Sequence, residues 1–308
     1  MLKNIFLWFR IIRPQTLFAS VVPVLVATIV VKNNGGEVDD VVSSLTIFCA
    51  LSLQVLSNLI NDYFDYVRGT DKAGRKGFKR ALAESEITTE TMLRACYLTA
   101  GLACLLGLYL VWTGGVVVLA IGLSALLFAW LYTATRYSLS YLGIADIFVY
   151  LYYGVIATMG TSFLLLSSNE AAASFPLIFP ELTESAKEIF KDSFYAGSVS
   201  GFISMCVLLI NNIRDIDDDR KVGKRTLPVR FGKRAGEVAM FLLVLLMPFS
   251  AFMAFGWSLP VLVVVPAFFM WLKTLRSEGP KYNKCLVFAG IINLFYLLCC
   301  LADSFSNI

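Results

Sequence analysis

Two acidic segments interrupt an otherwise apolar chain. The first segment, N-L-I-N-D-Y-F-D-Y-V-R-G-T-D, supplies Asn58, Asn61, Asp62, Asp65 and Asp71. The second segment begins N-N-I-R-D-I-D-D-D-R-K and supplies Asn211, Asn212, Asp215, Asp217, Asp218 and Asp219. Carboxylate and amide oxygens are the ligands that Mg2+ and other hard divalent cations prefer. Both segments are therefore candidate metal sites.

Helical spacing brings the polar residues of each segment onto one face, because side chains three and four positions apart are neighbours. In the first segment this face carries Asn58, Asn61, Asp62 and Asp65. In the second it carries Asn211 or Asn212, Asp215 and Asp219. Like charges at this spacing repel, and the cost rises near a membrane. Two such faces favour bound cations, and a substrate diphosphate would complete a Mg2+ shell.

Basic residues follow each acidic segment. Lys72 and Arg80 follow the first, and Lys224 and Arg225 follow the second. A metal combined with Lys or Arg is typical of sites that stabilise a phosphate leaving group. A basic loop can also reflect membrane topology alone, and an acidic helix end can be a solvated surface. Two similar clusters, each flanked by Asn and by basic residues, favour the binding interpretation.

Other catalytic chemistries are limited by composition. The chain has no histidine and seven cysteines, none of them in a C-x-x-C pair. A His-based zinc site, a Ser-His-Asp triad and an imidazole base are thereby excluded. We interpret the cysteines as small buried hydrophobic residues. Catalysis must rest on carboxylates, amides, Lys, Arg, Tyr and a bound metal.

The hydrophobic composition predicts a polytopic membrane protein. Of 308 residues, 58% are hydrophobic and 16% are charged, whereas soluble domains have about 25% charged residues. The mean hydropathy is +0.73. Since a span needs about 20 apolar residues, we predict one all-α transmembrane domain over residues 1–308. Its nine predicted spans lie near 17–31, 42–60, 91–112, 115–133, 142–167, 193–213, 236–256, 258–274 and 285–303.

The distribution of basic residues predicts the orientation. Lys32, Lys187 and Lys191 lie in the loops of one side, and the other 23 of the 26 lysines and arginines lie on the opposite side. By the positive-inside rule, we expect a protein of the cytoplasmic (inner) membrane. Its N-terminus would be cytoplasmic and its C-terminus outside. Both acidic segments then face the cytoplasm, and nothing in the sequence indicates nucleic-acid binding.

At these residues the chain resembles the UbiA superfamily of intramembrane aromatic prenyltransferases. That family carries N-D-x-x-D-x-x-x-D after the second of its nine helices and D-x-x-x-D after the sixth. Asn61, Asp62 and Asp65 match the first motif, and Asp215 and Asp219 match the second. Where the family has its last Asp, this chain has Gly69, and Asp71 follows two residues later.

This departure resembles the branch that prenylates 1,4-dihydroxy-2-naphthoate in menaquinone synthesis. The stretches 211–232 and 131–146 resemble the same branch, and the likeness extends over nearly the whole chain from Arg13 onward. Related quinone and tocopherol enzymes share parts of these patterns. In the naphthoate branch, the ring carbon that carries the carboxylate is prenylated with loss of CO2, which requires no strong protein base.

The resemblance implies a helical bundle around a central cavity, closed by cytoplasmic cap loops. It implies transfer of a prenyl group from an isoprenoid diphosphate to an aromatic acceptor, with two or more Mg2+ ions. The implied metal ligands are Asp62, Asp65, Asp215, Asp219, Asn61 and Asn212. Arg80 and Lys224 would support the diphosphate, and Asp71 would take the role of the displaced carboxylate.

Further candidate residues lie within the two acidic segments, between them and just after them. We place Tyr132 and Arg136 among the catalytic candidates, since Arg136 could pair with an acceptor carboxylate. Asp146 begins a predicted span and could bind substrate, cap the helix or pair with Arg136. The remaining substrate-binding candidates are Asn58, Asn211, Asp71, Lys72, Arg225 and Tyr137. Aromatic candidates for stabilising a prenyl cation are Tyr63, Phe64, Tyr132, Tyr137, Tyr150, Tyr152 and Tyr153.

Three alternatives remain open at this stage. The same chemistry could act on 4-hydroxybenzoate, homogentisate, a chlorophyll-type ring or a glycerol phosphate. A divalent-cation transporter would place ionisable groups near the bilayer midplane, whereas these acids lie at cytoplasmic helix ends. A CDP-alcohol phosphotransferase would carry a D-G-x-x-A-R motif, which this sequence lacks.

Overall fold

The structure is a computed structural model that describes residues 2–70, 77–135, 138–170 and 183–306. Within these ranges the secondary structure is helical, with no strand. The α-helices are α1 (Leu2–Ile12), α2 (Pro14–Asn33), α3 (Asp40–Val67), α4 (Thr89–Leu131), α5 (Leu139–Leu142), α6 (Ala145–Tyr150), α7 (Ile156–Glu170), α8 (Glu184–Arg214), α9 (Ile216–Lys221), α10 (Leu227–Phe231), α11 (Lys233–Phe255), α12 (Val264–Leu275) and α13 (Tyr282–Ser306). A π-helical turn spans Leu151–Val155, and 3₁₀ turns span Leu259–Val263 and Gly279–Lys281.

The expected class, an all-helical multi-pass membrane protein, is confirmed. Seven helical stretches in the described part of the chain are long and apolar enough to cross a membrane: Pro14–Asn33, Asp40–Val67, Thr89–Leu131, Ala145–Ser168, Glu184–Arg214, Lys233–Phe255 and Gly279–Ser306. A shorter apolar stretch covers Leu259–Leu275. Helices satisfy every backbone hydrogen bond internally, as the bilayer interior requires.

The long helix α4 folds back on itself. Gly115 adopts φ 65° and ψ −151° inside it, a conformation that only glycine tolerates well. Cys96 and Leu126 pack in the same hydrophobic cluster, whereas a straight helix would separate them by about 45 Å. The arms before and after Gly115 therefore run antiparallel. Gly256, with φ 67°, makes a similar break between α11 and the Leu259–Val263 turn.

Helix α8 lies at the centre of the packing. It contributes to the largest buried cluster together with α2, α11, α12 and α13. Small residues bring α8 against the π-helical turn: a Cβ on Gly154 would lie 2.6 Å from the carbonyl oxygen of Gly197 and 2.6 Å from the Cα of Gly201. Backbones approach this closely in membranes only where glycine lines the crossing. This glycine seam fixes the π-helical turn, and with it Tyr152 and Tyr153, against α8.

The N-terminal segment before the first predicted span forms a helix, α1. Ile5, Phe6 and Phe9 are exposed on it, while Ile11 is buried. An exposed apolar face on a basic helix beside a span is typical of a helix that lies in the membrane interface. The chain then turns sharply at Arg13, which has the left-handed φ of 57°.

Candidate active site

The two acidic segments converge on one pocket at the ends of α3 and α8. Asp62 and Asp65 lie in the last turns of α3, Asp215 separates α8 from α9, and Asp219 lies in α9. A polar pocket of about 150 Å³ joins the two segments. Its lining includes Asn61, Asp65, Asn212, Asp215 and Asp219, together with Arg80, Arg214 and Lys224.

Asp62, which the sequence predicted as a metal ligand, is not among the residues that line this polar pocket. Its side chain is 2% exposed and forms ion pairs with Arg13 and Arg80. Both arginines line the pocket. Two guanidinium groups compensate the buried carboxylate, which would otherwise be very costly. In this arrangement the Asp62 carboxylate organises the arginines that face the pocket.

The carboxylates of the second segment also have basic partners. Arg214 donates from Nε and Nη2 to the two carboxylate oxygens of Asp215, at 2.7 Å each, and from Nη1 to Asn283 Oδ1 at 2.7 Å. The Lys224 Nζ lies 3.3 Å from Asp219 Oδ1. Such bidentate pairing fixes the direction of a carboxylate. Arg214 was not among the site residues predicted from the sequence.

The charges in the pocket perturb one another. Burial raises the pKa of Asp219, and the neighbouring carboxylates of Asp215 and Asp65 raise it further, against the opposing effect of Lys224. Burial alone would lower the pKa of Lys224, but Asp65 and Asp219 outweigh it, so the pKa of Lys224 is raised. The carboxylates in the pocket therefore repel one another, and a divalent cation would reduce that repulsion.

Several polar atoms at this pocket lack a protein partner. Asp65 Oδ1, Thr133 Oγ1, Asp146 Oδ1 and Thr226 Oγ1 are buried without a hydrogen bond to any described residue, and all four side chains line the pocket. A buried polar group left unsatisfied costs about 1–3 kcal/mol. Four such atoms in one small pocket indicate that a polar ligand completes it.

The donor set fits magnesium with a shared substrate. Among the described residues, no three carboxylates are close enough to form a preformed metal cluster. Mg2+ usually takes only one or two protein carboxylates and completes its shell with water and phosphate oxygens. The unpartnered Asp65 oxygen and the all-oxygen lining match that mode of binding. The site suits a Mg2+–phosphate complex better than a bare ion.

A larger, apolar cavity adjoins the polar pocket. It has a volume of about 530 Å³ and lies among α2, α3, α4, α6, α7, α8 and α13. Residues that line both spaces are Arg13, Gln15, Thr16, Asn61, Tyr132, Val207, Leu208 and Asn211. The combined shape can hold a ligand that has a polar head and a long apolar tail.

Comparison with known families decides the identity of this architecture. The profile of the UbiA prenyltransferase family matches residues 20–298. The chain belongs to this family. The 1,4-dihydroxy-2-naphthoate octaprenyltransferase of Escherichia coli (strain K12) is 31% identical over 310 residues, covering 94% of each chain. The enzyme of the same name from Bacillus subtilis (strain 168) is 29% identical over 275 residues, covering 89% of this chain and 79% of the other.

Solved structures show the same UbiA fold. A UbiA homolog from Archaeoglobus fulgidus bound to DMAPP and Mg2+ has a TM-score of 0.58 at 16% identity, covering 96% of this chain and 98% of that one. The apo UbiA homolog from Aeropyrum pernix K1 has a TM-score of 0.65 at 12% identity, covering 91% and 96%. The protein is thus a membrane-embedded prenyltransferase.

Several other residues suggested by the sequence line the polar pocket or the apolar cavity. Tyr132 lines both the polar pocket and the apolar cavity, and Asp146 lines the polar pocket. Asn211 lines both spaces, with its Nδ2 donating to the Val207 carbonyl at 3.2 Å. These positions are compatible with the expected roles, which stay predictions.

Other candidates have structural contacts or lie elsewhere. Asn58 Nδ2 donates to the Ile12 carbonyl at 2.9 Å and to Thr16 Oγ1 at 3.0 Å, so it anchors the N-terminal corner to α3. Arg225 is exposed and is not among the residues that line either space. Its backbone N–H instead donates to the Tyr141 carbonyl at 3.1 Å. Asp71, Lys72, Arg136 and Tyr137 lie outside the described residues.

The aromatic candidates separate into two groups. Tyr132, Tyr152 and Tyr153 line the apolar cavity, as do Phe128 and Phe148, which the sequence analysis had missed. The hydroxyl of Tyr150 instead pairs with Ser198 at 2.8 Å. Tyr63 and Phe64 pack in a cluster with residues of α4. No periodicity distinguishes a cavity-lining aromatic from a packed one in a chain this rich in both.

Arg13 is the most informative residue that the site analysis of the sequence missed. It pairs with Asp62 and lines both the polar pocket and the apolar cavity. The signal available in the sequence was an Arg directly before Pro14 at the start of a span. Residues preceding proline avoid the helical region, so the sequence indicates a turn of the chain at Arg13. It does not indicate the direction in which the Arg13 side chain points.

We expect Arg13→Gln to destabilise the protein by about 1–3 kcal/mol, because the buried Asp62 carboxylate would lose one of its two described arginine partners. Arg10→Gln is the matched control. Arg10 pairs with Glu86 on the same N-terminal segment, but the two side chains are 38% and 39% exposed, and such pairs contribute about 0–1 kcal/mol. Thermal unfolding in detergent compares the two. Equal shifts in the melting temperature would contradict this account.

Proposed function

We propose that this protein prenylates 1,4-dihydroxy-2-naphthoate with loss of CO2, using an isoprenoid diphosphate and Mg2+, to give the hydroquinone form of demethylmenaquinone. The observation that carries the proposal is the small polar pocket, which shares lining residues with the large apolar cavity. The acceptor is supported by relatives named 1,4-dihydroxy-2-naphthoate octaprenyltransferase. The donor and metal are supported by a fold relative bound to DMAPP and Mg2+.

In this proposal the diphosphate head lies in the polar pocket. Asp65, Asp215 and Asp219 would hold Mg2+, with Asn61 and Asn212 beside them and Asp62 positioning Arg13 and Arg80. When bound, Mg2+ neutralises the negative charge that develops on the leaving diphosphate. Arg80 and Lys224 add positive charge at the same pocket, fixed in place before the reaction begins.

The apolar cavity takes the prenyl chain and excludes water from the reacting carbon. As the C–O bond to diphosphate breaks, positive charge develops on the allylic carbon, and aromatic faces attract such charge. Tyr132, Tyr152 and Tyr153 line this cavity. The ring carbon then forms the new C–C bond to the allylic carbon, and the bond between that ring carbon and the carboxylate breaks. The electron pair of this bond stays in the ring and restores aromaticity as CO2 leaves. This series of reaction steps needs no protein base, in keeping with the absence of histidine from the chain.

We further propose a single domain with nine spans, an N-terminus in the cytoplasm and a C-terminus outside. The two arms of α4 and the Leu259–Leu275 stretch bring the seven long helices to nine crossings. The distribution of basic residues supports the orientation. Single cysteines introduced at exposed Asp218 and at exposed Glu184 in a cysteine-free protein should be labelled by an impermeant maleimide from opposite sides. Labelling of both from the same side would contradict the topology.

We expect Asp65→Asn and Asp219→Asn each to lower kcat/KM at least about 100-fold, because removing a group that stabilises transition-state charge commonly costs 10²–10³. Rates are measured with geranyl diphosphate and 1,4-dihydroxy-2-naphthoate over a Mg2+ series. The chain offers Asp218→Asn as a control, since Asp218 neighbours Asp219 but is exposed and pairs with Lys221 at 3.0 Å.

Asp218→Asn should stay within about twofold of the wild type, because exposed ion pairs contribute little. Full activity of both pocket variants, or a loss in Asp218→Asn equal to theirs, would refute the assigned metal site. Melting temperatures of all three variants separate loss of chemistry from loss of folding.

We expect carboxyl-labelled 1,4-dihydroxy-2-naphthoate to release its label as CO2, one molecule for each prenylated product, because the new C–C bond forms at the carbon that carried the carboxylate. Trapped radioactivity and product mass are measured together. 4-Hydroxybenzoate, homogentisate and a glycerol phosphate serve as competing acceptors. A product that keeps the label, or preferential prenylation of another acceptor, would overturn the assignment while leaving the prenyl-transfer chemistry intact.

A further inference from the structure

Three side chains in the apolar cavity carry polar atoms that no described residue satisfies. These atoms are Gln54 Oε1, Ser204 Oγ and Asn293 Oδ1. The side chains line the cavity, and the residues are 6%, 5% and 2% exposed. Leaving a polar group unpaired in such surroundings is unfavourable, so a hydrogen-bonding ligand is indicated. We call these three side chains the polar belt.

The belt lies at one depth in the bundle. On α3, Gln54 is seven residues from Asn61; on α8, Ser204 is seven residues from Asn211. On α13, Asn293 is seven residues from Leu286. Asn61, Asn211 and Leu286 all line the polar pocket. Seven residues of helix correspond to about 10 Å, so the three belt residues lie about two helical turns below the acidic site.

The amide groups of the belt present oxygens, and their hydrogen bonds fix that orientation. Asn293 Nδ2 donates to the Phe18 carbonyl at 3.4 Å, and a carbonyl can only accept. Gln54 Nε2 faces Asn58 Oδ1 at 3.4 Å, while Asn58 Nδ2 is committed to the Ile12 carbonyl. Flipping either amide would set two oxygens against each other. The belt therefore offers two carbonyl acceptors and one hydroxyl.

Other hydroxyls in the same cavity differ from Ser204. Ser20 Oγ donates to the Leu17 carbonyl at 2.9 Å, Thr46 Oγ1 to the Val42 carbonyl at 2.7 Å, and Thr161 Oγ1 to the Ala157 carbonyl at 2.7 Å. Ser and Thr in a helix ordinarily satisfy themselves in this way. Among the fully buried side-chain atoms of this cavity, those without a hydrogen bond to a described residue are thus the three of the belt.

We propose that the polar belt binds the hydroxyl groups of an aromatic hydroquinone, either the prenyl acceptor or the prenylated product. The ligand must donate hydrogens to two amide oxygens. An isoprenoid chain has no hydrogen-bond donor, and a diphosphate carries acceptor oxygens, so neither matches the belt. A ring with two hydroxyl groups does. This inference rests on the proposed function and adds the site at which the ring is oriented beneath the diphosphate.

The test uses the full-length protein with geranyl diphosphate, Mg2+ and 1,4-dihydroxy-2-naphthoate. We expect Ser204→Ala and Asn293→Leu each to raise the acceptor KM about 3–10-fold, since one hydrogen bond contributes about 0.5–1.5 kcal/mol. The donor KM should change less than twofold. Ser20→Ala is the matched control, because it removes a hydroxyl from the same cavity that is already satisfied. It should change neither constant by more than twofold.

Monomethyl ethers of the acceptor give a second readout. If the belt accepts hydrogen bonds from the ring hydroxyls, one methyl ether removes the hydroxyl that pairs with Ser204. That ether should bind with equal affinity to the wild type and to Ser204→Ala, because neither complex can form this hydrogen bond. Inhibition by the prenylated hydroquinone distinguishes the two sources of ligand. If the variants raise the inhibition constant and leave the acceptor KM unchanged, the belt binds the product. If both constants rise, the belt binds the ring of the acceptor and of the product.

An unchanged acceptor KM and inhibition constant in both variants would overturn the proposed role of the belt, as would equal increases in the donor KM and the acceptor KM. Failure of the proposed function has a different signature, because the wild type would then not prenylate 1,4-dihydroxy-2-naphthoate. If it prenylated another hydroxylated ring instead, the same variants tested with that ring would decide the belt on its own. If it prenylated none, both proposals would fall.

Discussion

Repulsion among carboxylates in a confined, poorly solvated pocket is the constraint around which this protein is organised. The ends of α3 and α8 bring Asp65, Asp215 and Asp219 to the lining of one space of about 150 Å³. Without compensation such an assembly is unfavourable. Guanidinium and ammonium groups provide part of that compensation from within the chain, and in the proposed function a metal–diphosphate complex would provide the rest. Folding and substrate binding therefore respond to the same charges.

The compensation comes from distant parts of the sequence. Arg13 reaches Asp62 from the corner between α1 and α2, Arg80 reaches it from the loop after α3, and Lys224 reaches Asp219 from the loop after α9. Arg13 has a left-handed φ of 57° at its corner. This corner and the two loops are thus tied to the acidic helix ends by charge.

Much of this architecture was readable from the sequence, for identifiable reasons. Apolar runs and the spacing of Asn61, Asp62 and Asp65 follow helical periodicity, so the membrane class and the shared faces could be predicted. Arg13 and Arg214 could not be placed, because the direction of a corner and the partner of an arginine depend on tertiary contacts. The same holds for Gln54, Ser204 and Asn293. An isolated polar residue inside a span gives no sign of whether its own helix satisfies it.

Glycines in and beside the apolar cavity differ in how much change they tolerate. At the glycine seam, any added carbon on Gly154 would collide with the backbone of α8 at 2.6 Å. Gly154 is not among the residues that line the cavity, whereas Gly107 and Gly122, on the two arms of α4, line it, and a Cβ at either would meet no atom within 4 Å. Single substitutions at these two α4 positions can therefore change the length of the cavity without a collision, whereas the glycine seam admits no added carbon. The chain-length distribution of products made by Gly122 variants would show whether α4 determines the length of the prenyl chain.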